Sequence, residues 1–184
     1  MKKAVIVPIA IALVWTVAAV LVSQHLAPPR PPSAETLINA ALRVAQTENK
    51  GVLIHFGATW CKWCKRLDAA FESSELGGIF HDNFVLMHLT VQESDDKVDT
   101  ENPGAAALMS EFGASQAGIP VYLFLDKNGR RLASSMALPD GSNIGYPASL
   151  EEIAAFEGLM EKTAPHMTAD QRAAVTQYLR SHAP

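Results

Sequence analysis

The order of apolar and polar positions along the chain predicts its first elements. From Ala34 to about Asn49, apolar side chains recur at helical spacing and polar groups occupy the other side, which is typical of an amphipathic helix. The run from Val52 to Phe56 is short, apolar and rich in β-branched residues, as in a buried strand. The ordered part of the chain therefore opens with a helix and a buried strand.

The pattern of apolar and polar positions also predicts the helices and strands of the rest of the chain. It predicts helices from Cys61 to Phe71, Ser74 to Phe80, Gly104 to Phe112, Leu150 to Lys162 and Ala169 to Arg180. It predicts strands at Phe84 to Val91, Val121 to Leu125 and Arg131 to Ser135. Asn128 and Gly129 favour a hairpin between the last two strands, which are then antiparallel. Strands separated by helices pair in parallel, so we expect an α/β fold with a mixed central sheet of about four strands.

Local signals mark two helix starts and two loops. Ser149 with Glu152, and Thr168 with Gln171, have the spacing of the capping box. The acidic, polar segment 92–103 is predicted to be a solvated loop with little chemistry. The irregular segment 137–148 is predicted to be either a plain connection or the border of a docking groove. The last helix has no role that the pattern assigns.

The N-terminal third of the chain begins with a membrane signal. Lys2 and Lys3 precede an uncharged apolar run from Ala4 to Ser23, which is long enough to span a bilayer. We predict that residues 1–26 are a signal anchor; the alternative is a signal peptide, although the small residues that direct cleavage are poorly placed. Residues 27–33 are rich in proline and predict an extended linker.

This organisation predicts where the folded domain lies. Residues 34–184 are expected on the periplasmic or extracytoplasmic side of the cell membrane, held by a single pass, or secreted if the signal is cleaved. That compartment permits disulfides. The formal net charge of −4 argues against nucleic acid as a partner.

The chemistry is concentrated around Cys61 and Cys64, which are the 2 cysteines of the sequence. A cysteine at the first turn of a helix gains from free backbone amides and from the helix dipole, and its thiolate is the form that attacks disulfides. We therefore expect an exposed, ionisable Cys61 with Cys64 within bonding reach. Lys62 adds positive charge, and Trp60 and Trp63 offer apolar surface for a docking partner.

Two other interpretations of the cysteine pair are available. A structural zinc site needs four ligands, and the sequence has neither a second Cys-x-x-Cys nor a suitably spaced histidine pair, so we predict no metal. A purely structural disulfide over so short a loop would contribute little stability. The sequence favours a redox-active cysteine pair over both of these interpretations.

Two motifs carry a family resemblance. The segment Phe56–Lys65 resembles the active-site segment of the thioredoxin superfamily, and Gly118–Pro120 resembles its cis-proline loop. The resemblance covers about Ala34 to Ser135 and the helix after Ser149. The chain resembles above all the periplasmic thioredoxin-like proteins, including the C-terminal domain of the bacterial transmembrane thiol-disulfide reductase. The resemblance implies a thioredoxin-like fold in which Pro120 borders the disulfide and the backbone of Ile119 can pair with a substrate strand.

The resemblance also implies a function. We expect a thiol-disulfide oxidoreductase that reduces disulfides of exported proteins through Cys61 and Cys64, with no cofactor beyond that pair and with a membrane thiol protein as electron donor. The dipeptide between the cysteines does not fix the direction of exchange. The alternative is a non-enzymatic thioredoxin-like binding module that handles copper or an apocytochrome.

His55 departs from the pattern of thioredoxin itself, in which the equivalent strand position carries a buried acid. Our hypothesis is that neutral His55 accepts the proton of Cys64 when the mixed disulfide is resolved. The alternative is a histidine with no part in catalysis. His88 and His166 are interpreted as packing or surface residues.

Overall fold

The computed structural model describes residues 30–183, and the predicted membrane segment 1–26 and residues 27–29 of the proline-rich linker lie outside this range. In chain order its elements are α1 (Ala34–Glu48), β1 (Gly51–Gly57), α2 (Lys62–Phe71), α3 (Gly77–Asn83), β2 (Phe84–Thr90), a 3-10 turn (Val98–Thr100), α4 (Ala105–Glu111), β3 (Val121–Leu125), β4 (Arg131–Ser134), α5 (Leu150–Thr163) and α6 (Ala169–Ser181). Within the described residues, no helix combines the length and the apolar character that crossing a membrane requires.

The four strands form one mixed sheet in the order β2-β1-β3-β4, which confirms the predicted architecture. Strand β1 pairs in parallel with β2, while the β1–β3 and β3–β4 pairs are antiparallel. This register places His55 between His88 on β2 and Tyr122 on β3. The parallel pair is possible because α2 and α3 return the chain to the same edge of the sheet.

Helices cover both faces of this sheet and create two apolar clusters. One face packs against α1 and α4; buried residues of this cluster include Ala41, Ala45, Ile54, Phe56 and Met109. The other face packs against α2, α3, α5 and α6; buried residues there include Leu53, Leu67, Phe80, Phe156 and Leu179. Alternate residues of β1 contribute to alternate clusters, as the two-residue period of a strand requires.

Most helix boundaries agree with the sequence patterns, and both predicted capping boxes are present. The exception is α3, which was expected at Ser74–Phe80 and instead spans Gly77–Asn83. Ser73 Oγ accepts a hydrogen bond from the Leu76 amide at 3.1 Å, which favours a turn before the helix. Asn83 Nδ2 donates to the Ile79 carbonyl at 2.8 Å and extends the helix at its other end.

The C-terminal helix α6 completes the cluster on the α2 side of the sheet. Val175 and Leu179 of α6 are buried in the same cluster as Phe156 of α5. Arg66 of α2 also donates a hydrogen bond to the His182 carbonyl, just beyond α6. The structure therefore assigns α6 a packing role that the sequence left open.

Candidate active site

The cysteine pair lies where β1 ends and α2 begins. Cys61 is the N-cap of α2, and its Sγ accepts a hydrogen bond from the Cys64 amide at 3.0 Å. Sγ of Cys61 is bonded to Sγ of Cys64, with their Cα atoms 5.3 Å apart. The expectation that the two sulfurs are within bonding reach is confirmed. The same amide is placed to stabilise a Cys61 thiolate after reduction.

The expectation that Cys61 is exposed is wrong for this disulfide form. Cys61 is 2% exposed and Cys64 is 1% exposed. Ala58 and the partly buried Ile119 pack against the pair, because the loop before Pro120 lies over the start of α2. A substrate that reaches Cys61 must therefore displace part of this cover.

The loop at Pro120 borders the disulfide, and the Ile119–Pro120 peptide bond is cis, as the resemblance implies. The carbonyl oxygen of Ile119 lies 3.6 Å from Cys61 Sγ. Asn143 donates from Nδ2 to the carbonyls of Gly118 at 2.6 Å and Pro120 at 2.9 Å. The segment 137–148 therefore touches the site and is more than a plain connection.

Trp60 is held by the acidic segment that was predicted to carry little chemistry. Trp60 Nε1 donates to the Gln92 carbonyl at 2.8 Å, although the residue is 58% exposed. The Glu93 carboxylate accepts from the Thr59 amide at 2.6 Å and from Thr59 Oγ1 at 2.9 Å. This segment thus fastens the loop that precedes Cys61. The sequence patterns could not reveal this role, because the bonded residues are more than 30 positions apart in the chain.

Trp63 lies in the first turn of α2, next to the exposed Lys62. Its ring stacks on Tyr146 with centroids 5.8 Å apart, and the Arg66 guanidinium lies 5.8 Å from the Trp63 centroid and 5.1 Å from the Tyr146 centroid. Trp63 remains 40% exposed. The pair of tryptophans consequently presents fixed, partly exposed apolar surface around the buried disulfide.

Behind the disulfide, His55 belongs to a polar cluster that also contains Asp68 and His88. His55 Nδ1 lies 2.6 Å from Asp68 Oδ1, and His88 Nδ1 lies 3.8 Å from Asp68 Oδ2. The two imidazole rings meet edge to face with centroids 4.8 Å apart. Sequence reasoning did not single out Asp68. The available signal was its position four residues after Cys64, which places both side chains on one side of α2.

Burial and hydrogen bonding set the charges in this cluster. Burial lowers the pKa of His55, and the opposing effect of Asp68 does not reverse this. Partial burial disfavours ionised Asp68, but hydrogen bonds and charges from His55 and His88 outweigh that effect and hold the pKa of Asp68 well below its usual range. Near neutral pH the cluster thus contains an ionised Asp68 and a neutral His55.

Gly57 provides the space in which Cys64 meets this cluster. A Cβ atom at Gly57 would lie 3.0 Å from His88 Cε1 and 3.1 Å from both Cβ and Sγ of Cys64. Those distances are shorter than normal contacts. The glycine therefore allows the second sulfur and the His88 ring to approach the same point.

The cluster is also the place where a metal could be held. Ligand atoms of His55, Asp68 and His88 lie within 4.8 Å of one another, and two imidazoles with one carboxylate are common ligands of transition metals. The prediction of no metal depended on spacing along the chain, which does not show that parallel strands bring His55 beside His88. That prediction stays untested.

A family model and several solved structures are similar to this chain. A family model described as Thioredoxin-like matches residues 34–127. A disulphide isomerase from Xylella fastidiosa Temecula1 is similar in structure, with a TM-score of 0.48 and 18% identity, over 84% of this chain and 95% of that chain. The oxidised C-terminal domain of DsbD from Neisseria meningitidis has a TM-score of 0.41 and 21% identity, over 58% of this chain and 84% of that chain. The comparison with curated proteins gives no match.

Proposed function

Because the chain belongs to the thioredoxin-like family, we propose that it is a thiol-disulfide oxidoreductase that reduces disulfides in exported proteins. The family and the Cys61–Cys64 disulfide support redox exchange in either direction. The observation that carries the proposal is the position of Cys61, whose sulfur receives a backbone hydrogen bond at the start of α2 and lies beside Ile119.

The first half of the reaction uses Cys61 as the nucleophile. Its thiolate attacks one sulfur of a substrate disulfide, the substrate S–S bond breaks, and the second substrate sulfur leaves as a thiolate. The amide of Cys64 and the start of α2 lower the energy of the Cys61 thiolate before the attack. The product of this half is a mixed disulfide between Cys61 and the substrate.

The second half uses Cys64 as the resolving residue. Cys64 loses its proton and attacks Cys61 Sγ, so that the Cys61–Cys64 bond forms and the substrate leaves as a thiolate. Two electrons pass from the cysteine pair to the substrate. We propose that His55 accepts the Cys64 proton. Three features of His55 support this role: it is neutral, it is buried, and it lies on the sheet face that α2 covers.

The substrate would dock across the surface around the disulfide. Trp60 and Trp63 supply exposed apolar area, and Lys62 supplies positive charge beside Cys61. Ile119 and Pro120 form the opposite wall, where backbone is available to pair with an extended substrate segment. Since Ile119 covers Cys61, docking and uncovering of the sulfur would occur together.

The site of action follows from residues outside the described range. We propose that segment 1–26 holds the domain at the outer face of the cell membrane, or directs its secretion if it is cleaved. A reductase in an oxidising compartment needs a continuous supply of electrons. A membrane protein with a reduced thiol pair is the class of donor that this chemistry requires.

The proposal is tested by trapping and by turnover. Cys64→Ser should accumulate mixed disulfides on Cys61 with exported proteins, whereas Cys61→Ser should accumulate none. The wild-type domain with a dithiol donor should reduce insulin disulfides. No turnover and no trapped partner would overturn the proposal, and tight binding of copper by the reduced pair without turnover would support the carrier function instead.

A further inference from the structure

We propose that Asp68 is a positioning residue for the release of substrate, since it keeps the proton of neutral His55 on Nδ1 and thereby leaves Nε2 free to accept the proton of Cys64. His88 then passes that proton to solvent. The inference rests on the proposed function, because it concerns the second half of the same exchange.

The contact between Asp68 and His55 fixes the tautomer of the imidazole. An ionised carboxylate only accepts hydrogen bonds, so at 2.6 Å the proton must be on His55 Nδ1. A neutral imidazole carries one N–H, and its other nitrogen therefore keeps a free lone pair. Among the residues that the structure describes, Nε2 is buried and has no hydrogen-bond partner. An acceptor left unpaired in the interior costs free energy, and such a cost is typical of functional sites.

Cys64 and His55 lie on the facing sides of helix α2 and strand β1. Cys64 and Asp68 are one turn apart on α2, while Gly57 and His55 are two residues apart on one face of β1. Cys64 lies against the Gly57 position and Asp68 lies against His55. The Cys64–Gly57 and Asp68–His55 contacts are thus adjacent contacts between α2 and β1.

His88 connects this buried pair with solvent. The side chain of His55 is 4% exposed, whereas the side chains of His88 and Asp68 are 41% and 45% exposed. The His88 ring contacts the His55 ring and reaches toward the space at Gly57 that Cys64 Sγ also approaches. A proton taken up by His55 therefore has a polar route outward past Asp68 and His88.

The groups around His55 come from three elements: Asp68 from α2, with Cys64 one turn before it, His88 from β2 and Tyr122 from β3. Burial, assisted by the charge of Glu152, raises the pKa of Tyr122 well above its ordinary value, so that its hydroxyl stays protonated. Asp68 is the carboxylate of the set. It is accordingly the group that can balance the positive charge of His55 after proton transfer.

Proton transfer and bond exchange occur in the following order. The S–H bond of Cys64 breaks, its proton bonds to His55 Nε2, and the Cys64 thiolate attacks Cys61 Sγ of the mixed disulfide. The bond between Cys61 and the substrate breaks and the substrate sulfur takes the electron pair. The imidazolium then loses the proton on Nε2 to solvent on the side where the exposed His88 ring contacts the His55 ring, and His55 returns to the neutral form with its proton on Nδ1.

Asp68→Asn tests both parts of this role, because the amide keeps the shape but carries no charge, and its Nδ2 can donate to His55 Nδ1, so that the proton is no longer fixed there. Attack and release are measured separately by rapid acid quenching with a disulfide-bonded peptide, across a range of pH. We expect release to slow about tenfold or more near neutral pH, while attack by Cys61 is unchanged. The acidic limb of the release profile should move to lower pH, because Asp68 raises the pKa of His55 and its charge has been removed.

The deficit should disappear at alkaline pH, where hydroxide removes the Cys64 proton without help. Glu72→Gln is the matched control, since the exposed Glu72 carboxylate bonds His81 at 2.9 Å near the end of the same helix. His88→Ala should slow release by a smaller factor, and added imidazole should restore it. Thermal unfolding of each variant verifies that it is folded.

Each remaining outcome counts against the proposal. Release by Asp68→Asn at the rate of Glu72→Gln, or a loss of equal size at every pH, would overturn the role of Asp68. Wild-type release by His88→Ala would overturn the exit route. Release that requires Zn²⁺ and stops with a chelator would make the cluster a metal site. If wild-type attack itself does not occur, it is the proposed function that fails.

Discussion

Strand β1 presents different surfaces to the two sides of the sheet. The side facing α1 and α4 is apolar throughout and fully buried, and its residues are Val52, Ile54 and Phe56. On the side facing α2, the strand carries an apolar residue, then a polar residue and then, beside the disulfide, a residue without a side chain. These residues are Leu53, His55 and Gly57. One strand of seven residues thus supports a closed core on one side and a reactive site on the other.

This difference shows how the fold combines stability with a buried polar group. A polar side chain in the interior needs a partner, and Asp68 provides one for His55 at the partly exposed edge of α2. The opposite face of β1 buries apolar side chains, which need no hydrogen-bond partner. We therefore expect substitutions on the two faces to separate stability from chemistry.

The largest expected effect is on the apolar face. Ile54→Ala removes a fully buried side chain and should lower the free energy of unfolding by about 2–5 kcal/mol, measured by urea denaturation. Disulfide exchange by the folded fraction should be unchanged, because Ile54 points away from α2. Ile54→Val, with an expected cost of about 0.5–1.5 kcal/mol, ensures a folded sample. A slower release step in Ile54→Val would mean that the two faces are not separable.

A smaller effect is expected from filling the space on the histidine face. Gly57→Ala places a Cβ 3.0 Å from His88 Cε1 and 3.1 Å from Cys64 Sγ. His88 is half-exposed and can move, but Cys64 is buried and held by the disulfide. We expect a loss of about 1–3 kcal/mol in the free energy of unfolding of the oxidised protein. Release should also slow, because the cluster is displaced from Cys64.

Gly158→Ala is the matched control for that prediction. Gly158 lies in the interior of α5, and a Cβ there would meet nothing within 4 Å. Alanine in a helix interior should therefore stabilise the protein by about 0.5–1 kcal/mol. Equal effects of the two substitutions in urea denaturation would show that the space at Gly57 is not required.

The smallest expected effect concerns α5, which covers the histidine face. The Glu152 carboxylate accepts hydrogen bonds from the amides of Ala148 at 3.0 Å and Ser149 at 2.8 Å. Burial raises the pKa of Glu152, but these hydrogen bonds outweigh burial and the net effect is a lowered pKa. Since the folded pKa lies below the unfolded one, the contribution is present at neutral pH and is lost as pH falls through the folded pKa.

Glu152→Gln should consequently lower stability by about 0.5–1 kcal/mol at neutral pH, and the difference from wild type should shrink in acid. Urea denaturation at several pH values measures it. Glu151→Gln, in the same helical turn, is the control for removal of a charge. A difference between Glu152→Gln and wild type that is constant with pH would contradict the role of the ionised cap.

The sequence patterns predicted the sheet, most helices and the cysteine pair correctly, since these depend on local periodicity and spacing. They placed α3 too early, because the hydrogen bonds of Ser73 and Asn83 shift its ends and the apolar pattern does not show them. They missed the contact between Glu93 and Thr59, whose partners are far apart in the chain. They also left His88 as a packing or surface residue, although it lies beside the second sulfur.

By itself the sequence determined a helix start with Cys61 at its cap and Cys64 one turn later, because capping and helical spacing act over a few residues. Only the tertiary structure decided what surrounds the disulfide. The pairing of β1 with β2 sets His55 beside His88, and the docking of α2 on that face brings Asp68 between them. The folded sheet also places Ile119 over Cys61. These contacts join segments separated in sequence, and they form because each strand and helix must bury its apolar side.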